Sequence, residues 1–141
     1  MRKISLKGLK KKCWHLMSLW VRLKSSDYYG YVNCVTCGKQ YHYKLINAGH
    51  LRHGVLDYDP INIAPQCIYC NQYQSGQRDL YYIWAVKTYG QKAINKLYER
   101  ADRAKKGEFY TIEELEKIAL DLTIKINELS DNYLIAKKGN I

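Results

Sequence analysis

Residues 34–38 read Cys34-Val35-Thr36-Cys37-Gly38, and residues 66–71 read Gln66-Cys67-Ile68-Tyr69-Cys70-Asn71. The two Cys-x-x-Cys pairs share one spacing, and the 29 residues 38–66 lie between them. A two-residue gap lets a tight turn offer two thiolates to one ion, and Zn²⁺ takes four such ligands in a tetrahedron. Gly38, directly after Cys37, permits the close backbone approach of that turn. The spacing predicts a structural Zn²⁺ on Cys34, Cys37, Cys67 and Cys70, clamping a segment too polar and irregular to fold on a core of its own. Redox dithiols are the competing use of such pairs, but the βαβ pattern they need is absent. Cys13 stands alone in an apolar helical stripe, where a buried thiol packs as a small hydrophobe. Five cysteines without a secretion signal fit a reducing compartment, and the expected location is the cytoplasm.

Working outward, Leu6, Leu9, Cys13, Leu16, Trp20 and Leu23 recur at spacings of three and four and predict an amphipathic helix that ends at Ser25-Ser26-Asp27. Within the clamp, Tyr41-His42-Tyr43-Lys44-Leu45-Ile46 alternates as a strand does, and Gly49, Gly54, Pro60 and Pro65 punctuate short strands and loops. After Cys67 the pattern turns helical. Leu80, Ile83 and Trp84 predict a helix that stops at Gly90, and Ile94, Leu97, Tyr98 and Ala101 a second that stops near Gly107. Thr111-Ile112-Glu113-Glu114 reads as a capping box. It opens a long helix with Leu115, Ile118, Ala119, Leu122, Ile126 and Leu129 on one face, extending toward Ala136. Three segments follow: a basic helix over 1–27, a zinc-bound core over 28–90, and a helical region over 91–141 that can serve dimerisation.

The chain has 141 residues and a net charge of +10. Its 47% hydrophobic content excludes a wholly disordered chain. No apolar run is long enough for a membrane span. Residues 1–78 carry 12 basic and 3 acidic side chains, whereas residues 79–141 carry 11 and 10. The excess positive charge and all four histidines therefore lie in the cysteine half. Such asymmetry points to a polyanionic partner, either nucleic acid or an anionic membrane surface.

The order of residues inside the clamp narrows this choice. Ala48-Gly49-His50 follows the tyrosine-rich strand, Asn62-Ile63 comes twelve residues later, and Asn71 directly follows Cys70 before Ser75-Gly76. The arrangement resembles the HNH nucleases, with their ββα-metal fold, and most closely the phage NinG/Rap recombination endonucleases. The likeness covers roughly residues 10–130, with its specific core at 34–76. Longer members carry a basic, cysteine-containing N-terminal extension, which this chain is expected to lack.

The resemblance implies a role for each motif residue. His50 would be the general base, taking a proton from the water that attacks phosphorus. A lone histidine is more often structural, and it is the surrounding order that favours catalysis here. Asn71 would offer an amide oxygen to Mg²⁺ or Mn²⁺, cap the helix that follows, or do both. Asn62 would brace the loop carrying the histidine. Many HNH enzymes place an aspartate before the histidine as a second metal ligand, and here that position is Gly49. Asn47, His53, Asp57 and Asp59 stay open as replacements, with Asp57 and Asp59 equally readable as exposed loop charges. Lys10, Lys11, Lys12, Arg22 and Arg52 are the candidate DNA contacts. Tyrosines offer either base stacking or strand-face packing.

The expectation is an α+β protein: a zinc-clamped ββα-metal (HNH) nuclease core with an N-terminal helix and C-terminal helices. Its expected reaction is metal-dependent hydrolysis of DNA phosphodiesters in Holliday junctions, D-loops or related branches, carried out by a homodimer in the host cytoplasm if the chain is phage-encoded. An HNH enzyme of ordinary duplex and a non-catalytic zinc module are the alternatives.

Overall fold

The computed structural model describes residues 3–132. The order of elements is α1 (Leu6–Lys24), β1 (Tyr31–Asn33), β2 (Gln40–His42), β3 (Asn47–His50), β4 (Ile63–Gln66), α2 (Arg78–Tyr89), α3 (Gln91–Lys105) and α4 (Ile112–Asn132). The strands form two antiparallel pairs, β1 with β2 and β3 with β4. The class is α+β, as expected.

Ser5 opens α1, its Oγ accepting a hydrogen bond from the Gly8 N–H at 3.0 Å. The buried row is Leu9, Cys13, Met17 and Val21, joined by Leu23. A strict i, i+4 row runs obliquely along a helix and fits the groove of a neighbouring one. That neighbour is α4, which buries Leu115, Ala119, Leu122 and Ile126. Leu9 and Cys13 meet Leu115 and Ala119, Met17 and Val21 meet Leu122, and Leu23 lies with Ile126, so the two helices run in the same sense. Leu6, placed on the stripe by its spacing, is 43% exposed. Cys13 packs as a hydrophobe, its thiol donating to the Leu115 carbonyl at 3.2 Å. The two apolar stripes thus cover each other within one chain, and an interface between copies would have to use other surfaces. Thr111 Oγ1 accepts from the Glu114 N–H at 3.1 Å and starts α4. The predicted continuation to Ala136 lies outside the described residues.

The strand expected over 41–46 is shorter. The ladder stops at the Tyr31–His42 pair because Asp27 and Gly30 turn the chain before β1. Tyr43 to Leu45 then form a 3₁₀ turn, with Tyr43 buried beneath the α1 end. The strand leading to His50 is β3 instead, paired with β4 in the register Asn47–Gln66, Gly49–Ala64 and His50–Ile63.

Tyr81 of α2 is fully buried, and its hydroxyl donates to the carbonyls of Gly49 (2.9 Å) and Asn62 (3.3 Å), pinning α2 to the β3–β4 hairpin. Gly90, at φ +90, separates α2 from α3, and both helices pack on Leu51 and Ala64. No described helix is long and apolar enough to cross a membrane.

Candidate functional site

The four paired cysteines converge. The sulfurs of Cys34, Cys37, Cys67 and Cys70 all lie within 4.8 Å of one another, and Cys37 Sγ is 3.9 Å from Cys67 Sγ. Zn–S bonds of about 2.3 Å place tetrahedral sulfurs about 3.8 Å apart, so the cluster fits zinc. Backbone N–H groups turn toward it: that of Cys70 donates to Cys67 Sγ at 3.4 Å. The Thr36 hydroxyl lies 3.1 Å from Cys34 Sγ. At Cys34, burial opposes ionisation, but the N–H groups of Cys37 and Cys67 outweigh it and bring the thiol down to about 6. Burial pushes Cys70 up to about 12 and raises Cys37. The cluster is part of the core, with Cys34, Cys67 and Cys70 packed against Leu23, Val32 and Ile126.

His50 closes β3. Its Nε2 lies 2.8 Å from Asp57 Oδ1, and its ring stacks on Trp14 of α1 with centroids 5.0 Å apart. The His53 ring is 6.1 Å away. Asp57 is therefore the histidine's partner, where the sequence offered it as a metal ligand or a loop charge, while Asp59 is taken by Arg100 at 2.8 Å. Nothing in the helical pattern singled out Trp14 as the stacking surface.

Asn62 is completely buried and ties the loop after His50 to the hairpin. Its Oδ1 accepts from the Arg52 N–H at 2.8 Å, and its Nδ2 donates to the carbonyls of Arg52 (3.1 Å), Val55 (3.0 Å) and Leu56 (3.3 Å). Leu56 is held at φ +53, a costly conformation for a branched side chain. The Glu108 carboxylate accepts from its N–H.

Asn71 does not cap the following helix. It lies in a π-helical turn over Tyr69–Tyr73, and α2 begins only at Arg78. The chain between them passes through the left-handed region at Ser75, Gly76 and Gln77. Gln66 holds this bend, its Nε2 donating to the Gly76 carbonyl at 2.7 Å. That bond fixes the amide, leaving Gln66 Oε1 buried and without a hydrogen-bond partner. Gln66 reaches diagonally across the hairpin over Gly49. A Cβ on Gly49 would collide with Gln66 Oε1 and sit 3.1 Å from Asn71 Oδ1. The space that an aspartate at 49 would need is thus filled by an amide oxygen. Gln66 Oε1 and Asn71 Oδ1, two neutral and hard oxygen donors, thus both lie around the position that a Cβ on Gly49 would take. Gln66 was legible only as the residue before Cys67.

The candidate cations separate into groups. Arg22 and Lys44 line the cavity shared by His50, His53, Asn47 and Asn71. Arg22 is pinned there by bonds to the carbonyls of Ser18 (3.0 Å) and Tyr43 (2.8 Å). Arg52 is paired with Asp102 at 2.9 Å and lies over Tyr98. Lys10, Lys11 and Lys12 are exposed on α1. Lys10 and Lys11 line a groove next to the histidine site, opposite Lys105 and Lys106. These last two sit in the half that charge counting had treated as neutral.

Residues 2–132 match the family model described as Bacteriophage Lambda NinG protein. The chain is 26% identical over 138 residues to "Protein ninG" of Escherichia phage lambda, a match covering 93% of this chain and 63% of that one. It is 26% identical over 138 residues to the Salmonella phage P22 protein of the same name, and 30% identical over 90 residues to that of Enterobacteria phage H19B, covering 61% of this chain and 43% of that one. Apart from the shorter H19B match, the chain spans just under two thirds of the length of these curated relatives. No solved structure matches it.

Proposed function

The chain belongs to the NinG family of phage proteins, and on that premise we propose that it is a metal-dependent DNA endonuclease whose β3, β4 and α2 work as an HNH-type ββα core. The observation that carries this reading is His50 at the end of β3, bonded to Asp57 and lining one cavity with Asn71, Arg22 and Lys44.

A carboxylate only accepts hydrogen bonds, so Asp57 keeps the hydrogen on Nε2 and leaves the Nδ1 lone pair of His50 to take a proton. Water loses that proton to Nδ1 as its oxygen bonds to phosphorus, and the bond from phosphorus to the 3′-oxygen breaks, that oxygen taking a proton from solvent while Nδ1 later returns its own. The products are a 5′-phosphate and a 3′-hydroxyl. Trp14 and the Asn62-braced loop hold the ring in place, so little ordering remains to be done when DNA arrives. Asn71 Oδ1 and Gln66 Oε1 would hold Mg²⁺ or Mn²⁺, which supplies positive charge beside the scissile phosphate and the departing oxygen. Arg22 and Lys44 add fixed charge for the phosphate on the same side.

Branched recombination intermediates are the proposed substrates, on the strength of the family likeness. A four-way junction needs two opposed cuts, so two copies act on each junction. With α1 and α4 covering each other, that contact falls to another surface or to the DNA. The test is nicking of supercoiled plasmid with Mg²⁺ or Mn²⁺ by wild type and by His50→Ala. Metal-dependent nicking that His50→Ala abolishes supports the reading. Equal nicking by both would remove His50 from the reaction, and none by wild type with DNA bound favours the zinc-module alternative.

A further inference from the structure

A groove of about 690 Å³ runs between α1 and the loop joining α3 to α4 and opens onto the histidine site, with His53 and Asp57 in its wall. Lys10 and Lys11 line one side, and Lys105 and Lys106 the other. None of the four is in an ion pair among the described residues. The two carboxylates in the wall are both engaged, Asp57 with His50 and Glu108 with the Leu56 N–H. Four ammonium groups against two carboxylates leave the concavity with an excess of positive charge, which calls for a polyanion.

At the rim stands Phe109, the chain's only phenylalanine, which is 89% exposed. This exposure does not come from a loose loop. Glu108 is bonded to the backbone of Leu56, and the Tyr110 ring packs edge-on against Tyr58 at 5.2 Å. Tyr58 in turn donates to the Lys10 carbonyl at 3.4 Å. Phe109 therefore projects from a segment anchored on both sides. Its ring lies against Gly107, where a Cβ would come within 3.1 Å of it. One part of the ring is backed by the chain, and the remainder is presented outward.

We propose that this groove docks a DNA strand leaving the cleavage site, with phosphates on Lys10, Lys11, Lys105 and Lys106 and one unpaired base stacked on Phe109. In continuous duplex both faces of each base are covered by neighbours. At a branch or a single-stranded end a base face is available, so Phe109 would favour DNA that contains one. The inference rests on the nuclease reading for where the strand comes from, whereas its test measures binding alone.

The probe is a four-way junction with 2-aminopurine at the branch, beside linear duplex of the same sequence, both titrated with zinc-loaded His50→Ala protein without added Mg²⁺ or Mn²⁺. Expected are a fluorescence change on the junction that Phe109→Ala removes and Phe109→Trp keeps, and roughly 10-fold weaker junction binding for Phe109→Ala with duplex binding unchanged. Lys105→Glu with Lys106→Glu should weaken both substrates and flatten the salt dependence. Equal loss on junction and duplex from Phe109→Ala, or a 2-aminopurine signal that ignores it, overturns the proposal. Stacking by a protein that never cuts would leave the groove standing and remove the nuclease, while cutting without stacking would do the reverse.

Discussion

His50 Nε2 and Asp57 Oδ1 are 2.8 Å apart, joining the last residue of β3 to a loop residue seven positions later. The loop between them is held by Asn62, so the pair depends on a buried amide as much as on its own attraction. In the proposed reaction Asp57 orients the base without touching substrate. Asp57→Asn should therefore cut the cleavage rate by ~10-fold or more, with junction affinity unchanged, and His50→Ala by ~10²-fold or more. The double variant should be no slower than His50→Ala alone, because Asp57 acts only through the histidine. Single-turnover rates on plasmid decide this, and additive losses would give Asp57 an independent role.

Zinc should be bound by thiolates, at least two of which carry a proton before the metal arrives. Burial keeps Cys37 and Cys70 above their ordinary value of 9.0, so each zinc ion taken up at pH 7.5 displaces at least two protons. Calorimetry in buffers of different ionisation enthalpy measures this number. Cys67→Ser should lose both zinc and the cooperative fold, because three of the four sulfurs lie within the core. A folded, zinc-free wild type would contradict this account of the cluster.

Asn62→Ala leaves the Arg52 N–H and three carbonyls without their partner. Urea unfolding should show a loss of about 2–4 kcal/mol. Cleavage should fall further than DNA binding, since the loop positions His50 rather than the lysines. A loss below about 0.5 kcal/mol, the range of surface changes, would mean that the amide braces nothing.

Much of this was legible in sequence because local rules coincide with the fold. Identical Cys-x-x-Cys spacing brings four sulfurs together wherever the intervening chain goes, and an apolar stripe marks α1 as a helix, although its buried row runs through Met17 and Val21 where the spacing put Leu16 and Trp20. The strand at 41–46 misled because alternation cannot report how long its partner is, and β1 offers three residues. Asn71 was placed at a helix start because a π turn and a left-handed bend have no periodic signature. Gln66, Phe109, Lys105 and Lys106 were missed for another reason. Each matters through what a distant segment places beside it, and spacing along one segment carries no record of that.

His53 adds a pH dependence. Burial, then the nearby charges of Arg78 and His50, hold its pKa below the ordinary value of 6.5. The unfolded chain then takes up a proton that the folded one refuses. Stability is present above pH 6.5 and is lost as pH falls toward the folded value. Between pH 7.5 and pH 5, wild type should lose more stability than His53→Gln in urea unfolding. An equal or smaller loss would show that the histidine is not held neutral.

The most direct test of the central claim is cleavage of a four-way junction and of linear duplex of the same sequences, in Mg²⁺ and in Mn²⁺, by zinc-loaded wild type and His50→Ala. The account predicts paired cuts in opposing strands of the junction, little cutting of the duplex, ends bearing 5′-phosphate, and loss of all cutting in His50→Ala with binding retained. A wild-type protein that binds the junction and cuts neither substrate in either metal would contradict it.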